Sequence, residues 1–348
     1  MVNQLPQVYI GWIVAPLAMA SSLLTPLPAL AIQPPMVNSN DVLAQNASLA
    51  EADQLYQEGS RILREGTDDQ LPQAVEQLER ARQLYRTAQF QDEEGRTLTL
   101  LASAVGRLGD PAQAVDYLQA ALLLFRSVQQ QAAEADALQM MGLFYQRLGD
   151  SQEAMRRLNQ SIPLFQSLGD QAGQAVSMEY IGSIHQLSGD NSLALDYYQQ
   201  AIPLYRAGNS EAGAALLLGR IGSIHETWSE YPEALNYYRQ ALDIQRSLGN
   251  RDREARLLSN IGVVYALMGD DAQALPYYQE SLPIRREVGD LEGEALTVYN
   301  IGAAYYNLGN DQQALTYFTQ ALPLLQSIGD QGRAGAVSEV IQLLGGNP

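Results

Sequence analysis

Apolar residues in this chain recur on a fixed ruler. Ala74, Ala114, Ala154, Ala194, Ala234, Ala274 and Ala314 stand 40 residues apart without a gap, and Leu101, Met141, Ile181, Ile221, Ile261, Ile301 and Ile341 keep the same spacing. Glycine follows this second column at 142, 182, 222, 262 and 302. Self-similarity at such a period marks an architecture in which each unit buries its apolar face only against its neighbours. Within the unit 171–210, Met178, Ile181, Gly182 and His185 fall at i, i+3, i+4 and i+7, one face of an α-helix. Ala194, Tyr198, Ala201 and Tyr205 give a second helical stripe. Between them, Gly189-Asp190 offers a residue suited to the left-handed position past a helix end, then an N-cap. The pattern predicts helical hairpins in which small residues at 182, 194 and 201 admit close approach and Tyr198 fills the gap. Asp150…Glu153 and Asp270…Gln273 have capping-box spacing, and Asp110-Pro111 sets proline at a first helical position.

The departures are local. The first unit has Gly59 where the first-helix glycine belongs and needs about three extra residues within 67–73. The second has Ala102 for glycine, and the turn at Ser229-Glu230 replaces Gly-Asp. Pro163, Pro203, Pro283 and Pro323 share one phase of the second helix. Proline inside a helix removes a hydrogen bond and crowds the preceding turn, so recurrence at one phase predicts a tolerated kink on the outer side.

These columns resemble the tetratricopeptide repeat family, whose first helix (A) carries a large residue, Leu-Gly and Tyr, and whose second (B) carries Ala, an aromatic and Ala. Here they read Leu258, Ile261-Gly262, Tyr265, Ala274, Tyr278, Ser281, and Val298, Ile301-Gly302, Tyr305, Ala314, Phe318, Ala321. The usual unit has about 34 residues, and the extra ones are expected in a longer helix B and the turn after it. That length, Asn before Ile-Gly and a Leu-Gly-Asp ending are similar to the kinesin-light-chain-like branch, widespread in bacteria. Over residues 49–348 the resemblance implies an all-α, right-handed superhelical solenoid of about seven hairpins, closed by a capping helix at about 331–344.

Composition narrows the function. The net charge is −18 and the pI about 4.4, so no excess of cation is present to displace phosphate counterions, and nucleic acid is not an expected partner. All 21 basic residues are arginine and cysteine is absent. Schiff-base, P-loop-lysine and thiolate chemistry are thereby excluded. No hydrolase, Walker, zinc-protease or EF-hand motif occurs. His185 and His225 occupy the column of Tyr145, Tyr265 and Tyr305, where ring packing is expected rather than metal binding. The Tyr pairs at 197–198, 237–238 and 277–278 predict one core ring each and one covering a seam. No catalytic residue, cofactor or metal site is expected.

The N-terminus carries a location signal. No charged residue precedes Asp41, Val8 to Leu24 is largely apolar, and Ala29-Leu30-Ala31 has the pattern of a signal-peptidase site. The expectation is an export signal at 1–31, a linker at 32–48 and an extracytoplasmic, periplasm-like location. Because the n-region lacks a basic residue, an uncleaved membrane anchor is the alternative.

What remains is the side of helix A away from helix B, at 176, 179, 180, 183 and 187 and their equivalents. The resemblance implies that a partner's extended segment lies there, with Asn260 and Asn300 reading its main chain through amide donors and acceptors. Arg220 and Arg256 are candidates for a carboxylate, and Tyr299, Ser259, Glu179, Tyr180 and Asn307 complete the candidate groove. The expected function is a protein-interaction scaffold, with an envelope assembly factor or chaperone, or a sensor arm acting with a separate effector, as alternatives. If 29–31 is a cleavage site, N-terminal sequencing of the native protein returns Ile32; an intact Met1 or Val2 on soluble cytoplasmic protein removes the export expectation.

Overall fold

The computed structural model describes residues 43–345, which form fifteen α-helices and one 3-10 turn, with no strand among the described residues. Seven antiparallel A–B hairpins follow one another: α1 (Leu43–Glu65) with α2 (Leu71–Thr87), α3 (Gln91–Arg107) with α4 (Pro111–Ser127), α5 (Gln131–Arg147) with α6 (Ser151–Leu168), and α7 (Gln171–Leu187) with α8 (Asn191–Ala207). Then come α9 (Glu211–Thr227) with α10 (Tyr231–Ser247), α11 (Arg251–Leu267) with α12 (Asp271–Val288), and α13 (Leu291–Asn307) with α14 (Asp311–Ser327), before the single α15 (Gln331–Leu343). The chain divides after Gly208 into two compact units, α1–α8 and α9–α15. Each is a helical solenoid segment in which every helix packs on its neighbours in sequence. The export signal, its cleavage site and most of the predicted linker lie outside the described residues. α1 starts at Leu43, inside the stretch read as linker. Among the described residues no helix is long and apolar enough to cross a membrane.

One contact sets the hairpin. A Cβ on Gly182 would stand 2.6 Å from Tyr198 Cε1, one on Gly222 2.7 Å from Tyr238 Cδ1, one on Gly262 2.6 Å from Tyr278 Cε1, and one on Gly302 2.9 Å from Phe318 Cδ1. The ring of helix B therefore lies directly on the backbone of helix A. Where helix B has leucine, Gly142 meets Leu158 and Gly59 meets Leu78 in the same way. Hairpin two has room for a methyl, so Ala102 faces Leu118 with both fully buried. The ring hydroxyls run on to helix A: Tyr198 donates to Gln186 (2.9 Å) and Tyr238 to Glu226 (2.7 Å).

The extra residues are placed differently from the sequence expectation. Helices A and B both reach 17 residues in most hairpins, and the link after helix B is as short as the link after helix A. The added length is shared by the end of one helix B and the start of the next helix A, since α7 begins at Gln171, well before Met178. The three extra residues of hairpin one form the 3-10 turn Asp68–Gln70, closed by a hydrogen bond from Thr67 N–H to Gln70 Oε1 (3.1 Å). At the links, glycines 109, 149, 169, 189, 249, 269, 289, 309 and 329 are left-handed, and Gln89, Gln129, Asn209 and Ser229 hold the same conformation without glycine. The Ser229-Glu230 departure thus keeps the turn, at a steric cost. Pro163, Pro203, Pro283 and Pro323 are exposed, and their helices run through them unbroken.

Gly262→Leu must force α11 and α12 apart, an overpacking cost of about 1–3 kcal/mol. Solenoid stability is a sum of local and nearest-neighbour terms, so amide exchange should accelerate chiefly in those two helices. Uniform loss of protection along the chain, or none, would contradict the close-packing role.

Candidate functional site

The exposed side of the A helices is narrower than the sequence suggested. Glu179, Ser259 and Tyr299 share one column, and all three are buried. That column faces the next A helix. Gln139 Nε2 donates to Gly173 O (2.9 Å) and Ser177 Oγ (2.8 Å), and Ser259 Oγ lies 3.5 Å from Thr297 Oγ1. Ser259 also sits 2.9 Å from Ser281 Oγ and accepts from Arg285 Nη2 at 3.1 Å. Glu179 accepts a hydrogen bond from Tyr205. The Tyr299 ring packs 6.1 Å from that of Phe318, beneath the Arg333 guanidinium at 6.0 Å. One residue is 100° of helix, enough to turn a surface column into a seam.

The neighbouring column stays at the surface. Tyr180, Arg220 and Asn260 are half-buried there, while Asn300 is only 6% exposed, so its amide is largely covered. Arg256 is exposed one turn earlier, its Nε 3.2 Å from both carboxylate oxygens of Asp252. Asn307 lies at the exposed end of α13, and burial raises the pKa of Asp271 from its ordinary value. The stripe of the second unit is therefore amide and guanidinium in character, with Leu216 and Leu296 as half-buried apolar members. In the first unit the same positions hold Leu100, Met140, Leu143, Val176 and Tyr180, with Arg96 and Asp136 at their start. Arg107 and Arg147, at their end, turn back to accepting carbonyls at Leu63 (2.8 Å) and Gly106 (3.1 Å), near the end of the preceding A helix.

The histidines are structural, by a route that spacing alone did not reveal. His185 stacks on Tyr197 (centroids 5.7 Å) and His225 on Tyr237 (5.2 Å), as Tyr265 does on Tyr277 and Tyr305 on Tyr317 (5.6 Å each). In the tyrosine hairpins Asp150, Asp270 and Asn310 cap helix B by accepting a backbone N–H. In the histidine hairpins that residue leaves the cap: Asp190 sits 3.7 Å from His185 Nδ1, Glu230 sits 2.6 Å from His225 Nδ1, and neither caps its helix. Asp190 was expected to cap. The predicted capping boxes are likewise half-formed, since Glu153 is held by Arg156 rather than by the N-cap backbone. The first tyrosine of each pair, Tyr197, Tyr237 or Tyr277, stacks on helix A within its own hairpin, whereas the second is the buried ring on the helix-A glycine. The link to the next hairpin comes from Gln119 to Tyr145 and Gln279 to Tyr305, both 3.2 Å. Among the described residues no three His, Asp or Glu side chains gather as a metal site would require.

Burial and the nearby Asp170 carboxylate push Asp136 up from its ordinary 3.8 to about 6. The folded state thus holds this proton more tightly than the unfolded state, and stability falls as pH rises across that window. Asp136→Asn should raise the melting temperature more at pH 7.5 than at pH 4, where the native carboxyl is already neutral. An equal shift at both would contradict the burial of this group.

The family model for the tetratricopeptide repeat matches residues 131–207, 212–287 and 253–327, together more than half of the chain. No curated protein matches it significantly. Solved structures of similar fold include BtubC (BKLC) from P. vanneervenii, with 19% identity over 63% of this chain and 90% of that one and a TM-score of 0.56. A signal-transduction ATPase with a tetratricopeptide repeat sensor from Pyrococcus horikoshii has 14% identity over 86% and 50%, with a TM-score of 0.63. The apo form of the quorum sensor NprR from B. thuringiensis has 14% identity over 86% and 87%, with a TM-score of 0.56. At these identities the likeness is one of fold. With the repeat model matched over most of the hairpins and a residue of helix B seated on the helix-A glycine in hairpin after hairpin, the chain belongs to the tetratricopeptide repeat family.

Proposed function

We propose that this protein is a non-catalytic interaction scaffold that holds an extended segment of a partner along the exposed stripe of its A helices, in an extracytoplasmic compartment. The observation that carries this reading is where the chemistry varies. Inside the hairpins one contact is repeated with little change, whereas on the stripe of the second unit amides and guanidinium groups replace the apolar residues of the first. Asn260 supplies donor and acceptor together and can satisfy a main-chain peptide group whatever its side chain. Arg220 and Arg256 bring positive charge to one face of an acidic protein and suit an acidic or C-terminal segment. The fold likeness to a quorum sensor and to a signalling ATPase that has a tetratricopeptide repeat sensor supports a role in recognition. A second reading, a chaperone or assembly factor, is favoured by the first unit, where Leu100, Leu143, Val176 and Tyr180 are partly exposed together.

Selection of random peptides displayed on phage separates the two. The scaffold reading expects enrichment of a narrow, acidic or free-C-terminal set, and the chaperone reading a broad apolar one. For an enriched peptide, Asn260→Ala with Arg256→Ala should weaken binding by about tenfold or more and flatten its salt dependence. Helical content should stay unchanged, because exposed substitutions usually alter stability by no more than about 0.5 kcal/mol. Wild-type affinity in the double variant would remove the stripe as the binding face.

A further inference from the structure

The column that opens the stripe on the A helices reads Arg96, Asp136, Val176, Leu216, Arg256 and Leu296. Two of its charged members are answered from their own helix, four residues earlier. Arg96 Nε donates to Asp92 (2.9 Å) and Arg256 Nε to Asp252 (3.2 Å). Asp136 is the exception. Ala132 stands four residues before it, and among the described residues no hydrogen bond or ion pair reaches its carboxylate. It lies too far into α5 to cap that helix. The helices α3, α4, α6 and α7 pack against α5. The one charged group they bring to bear on Asp136 is a second carboxylate, Asp170, at the link between α6 and α7. Asp170 is itself engaged, accepting the Gly173 N–H at 2.8 Å.

Nothing in the hairpin requires an acid here, since Val176, Leu216 and Leu296 serve the same position. Burial and the Asp170 charge both oppose its ionised form and hold it at about 6, so the carboxylate burdens the fold at neutral pH. Its side chain is half-buried and keeps access to the surface. Met140 and Leu143 follow on the same face of α5, at i+4 and i+7, and Leu100 and Val176 stand in the stripe on the A helices to either side. A single acid in an apolar stretch suits a group with an apolar stem and a charged head. A hard metal ion would need more oxygen donors than Asp136 and Asp170 supply, and among the described residues no three His, Asp or Glu side chains gather. We propose that Asp136 is the contact point, on the stripe of the first unit, for a cationic group of the bound segment: an arginine or lysine side chain, or a free N-terminal ammonium. A guanidinium, more weakly hydrated than an ammonium and able to give two parallel hydrogen bonds, suits the half-buried site best. This contact rests on the scaffold reading for its ligand. It adds a charge requirement in the first unit, opposite in sign to that of Arg220 and Arg256 in the second.

The test has two arms. In the first, protein with ¹³C-labelled aspartate is titrated with three short peptides that differ in their single cation: acetyl-Leu-Arg-Leu-amide, acetyl-Leu-Lys-Leu-amide and Leu-Leu-amide with its free amino group. The Asp136 carboxyl carbon, assigned by its loss in Asp136→Asn, should shift saturably with at least one of them, and its titration midpoint should fall. The peptide that acts identifies the source of the cation, with the arginine peptide expected to act most strongly. Acetyl-Leu-Gln-Leu-amide should do neither. No response to any cationic peptide, or an equal response to the neutral one, overturns the contact. In the second arm, peptides selected on phage by the wild type are measured against Asp136→Asn, with circular dichroism as a check on folding. Binding should weaken by at least about tenfold at pH 7.5, and the gap should narrow at pH 5, where the native carboxyl is largely protonated before the peptide arrives. If the variant binds within twofold of wild type, or the gap is the same at both pH values, the contact fails while the scaffold reading stands. Should the wild type select no peptide, the scaffold reading fails, and the first arm decides the contact alone.

Discussion

The structure depends on an absence, the missing side chain at the helix-A glycine. With no Cβ at 182, 222, 262 or 302, the aromatic ring of helix B rests directly on helix-A backbone. That contact holds the two helices of each hairpin together at one fixed point. Hairpins with Leu78 or Leu158 show that the volume, not the aromaticity, is required. Because each hairpin is closed by its own contact and stacked only on its neighbours, disturbance at one should remain local.

Around this constant interior, polar substitutions are compensated within reach. Arg285, in a column that is aromatic in the first four hairpins, is 8% exposed, and burial lowers its pKa. It is held by Asp290 (2.5 Å) and by Ser259 and Ser281. A buried pair of this kind is weak evidence for stability, since apolar replacements are often neutral or better, but removing one partner leaves an uncompensated charge. The histidine hairpins show the same economy of partners. A carboxylate that could cap helix B serves the imidazole instead, and the cap is lost. Tyr278 lacks the partner that Gln186 and Glu226 give to Tyr198 and Tyr238, because Ala266 stands in that position, and its hydroxyl is left without one.

The fold was legible because its constraint is periodic. A 40-residue ruler carrying glycine and alanine columns specifies hairpins, their turns and the lone final helix before any coordinate is known. What was not legible depends on angles finer than the ruler. Glu179 and Ser259 lie one residue from the exposed column, and only packing against the next helix shows that they belong to a seam. The sharing of the added length between two helices escaped for a related reason, since columns locate the contact but not the helix ends. Asp190 reads as an N-cap in isolation, and its diversion follows from His185 five residues earlier.

The seating of ring on glycine is measured most directly by proton NMR of the glycine Hα atoms. In Gly182, Gly222, Gly262 and Gly302 these protons should show nuclear Overhauser contacts to the ring protons of Tyr198, Tyr238, Tyr278 and Phe318, with resonances displaced by ring currents. Gly142, seated under Leu158, should show contacts to leucine methyls and no such displacement. Glycine Hα resonances near their unstructured values, with no contact to the rings, would contradict the account at its foundation.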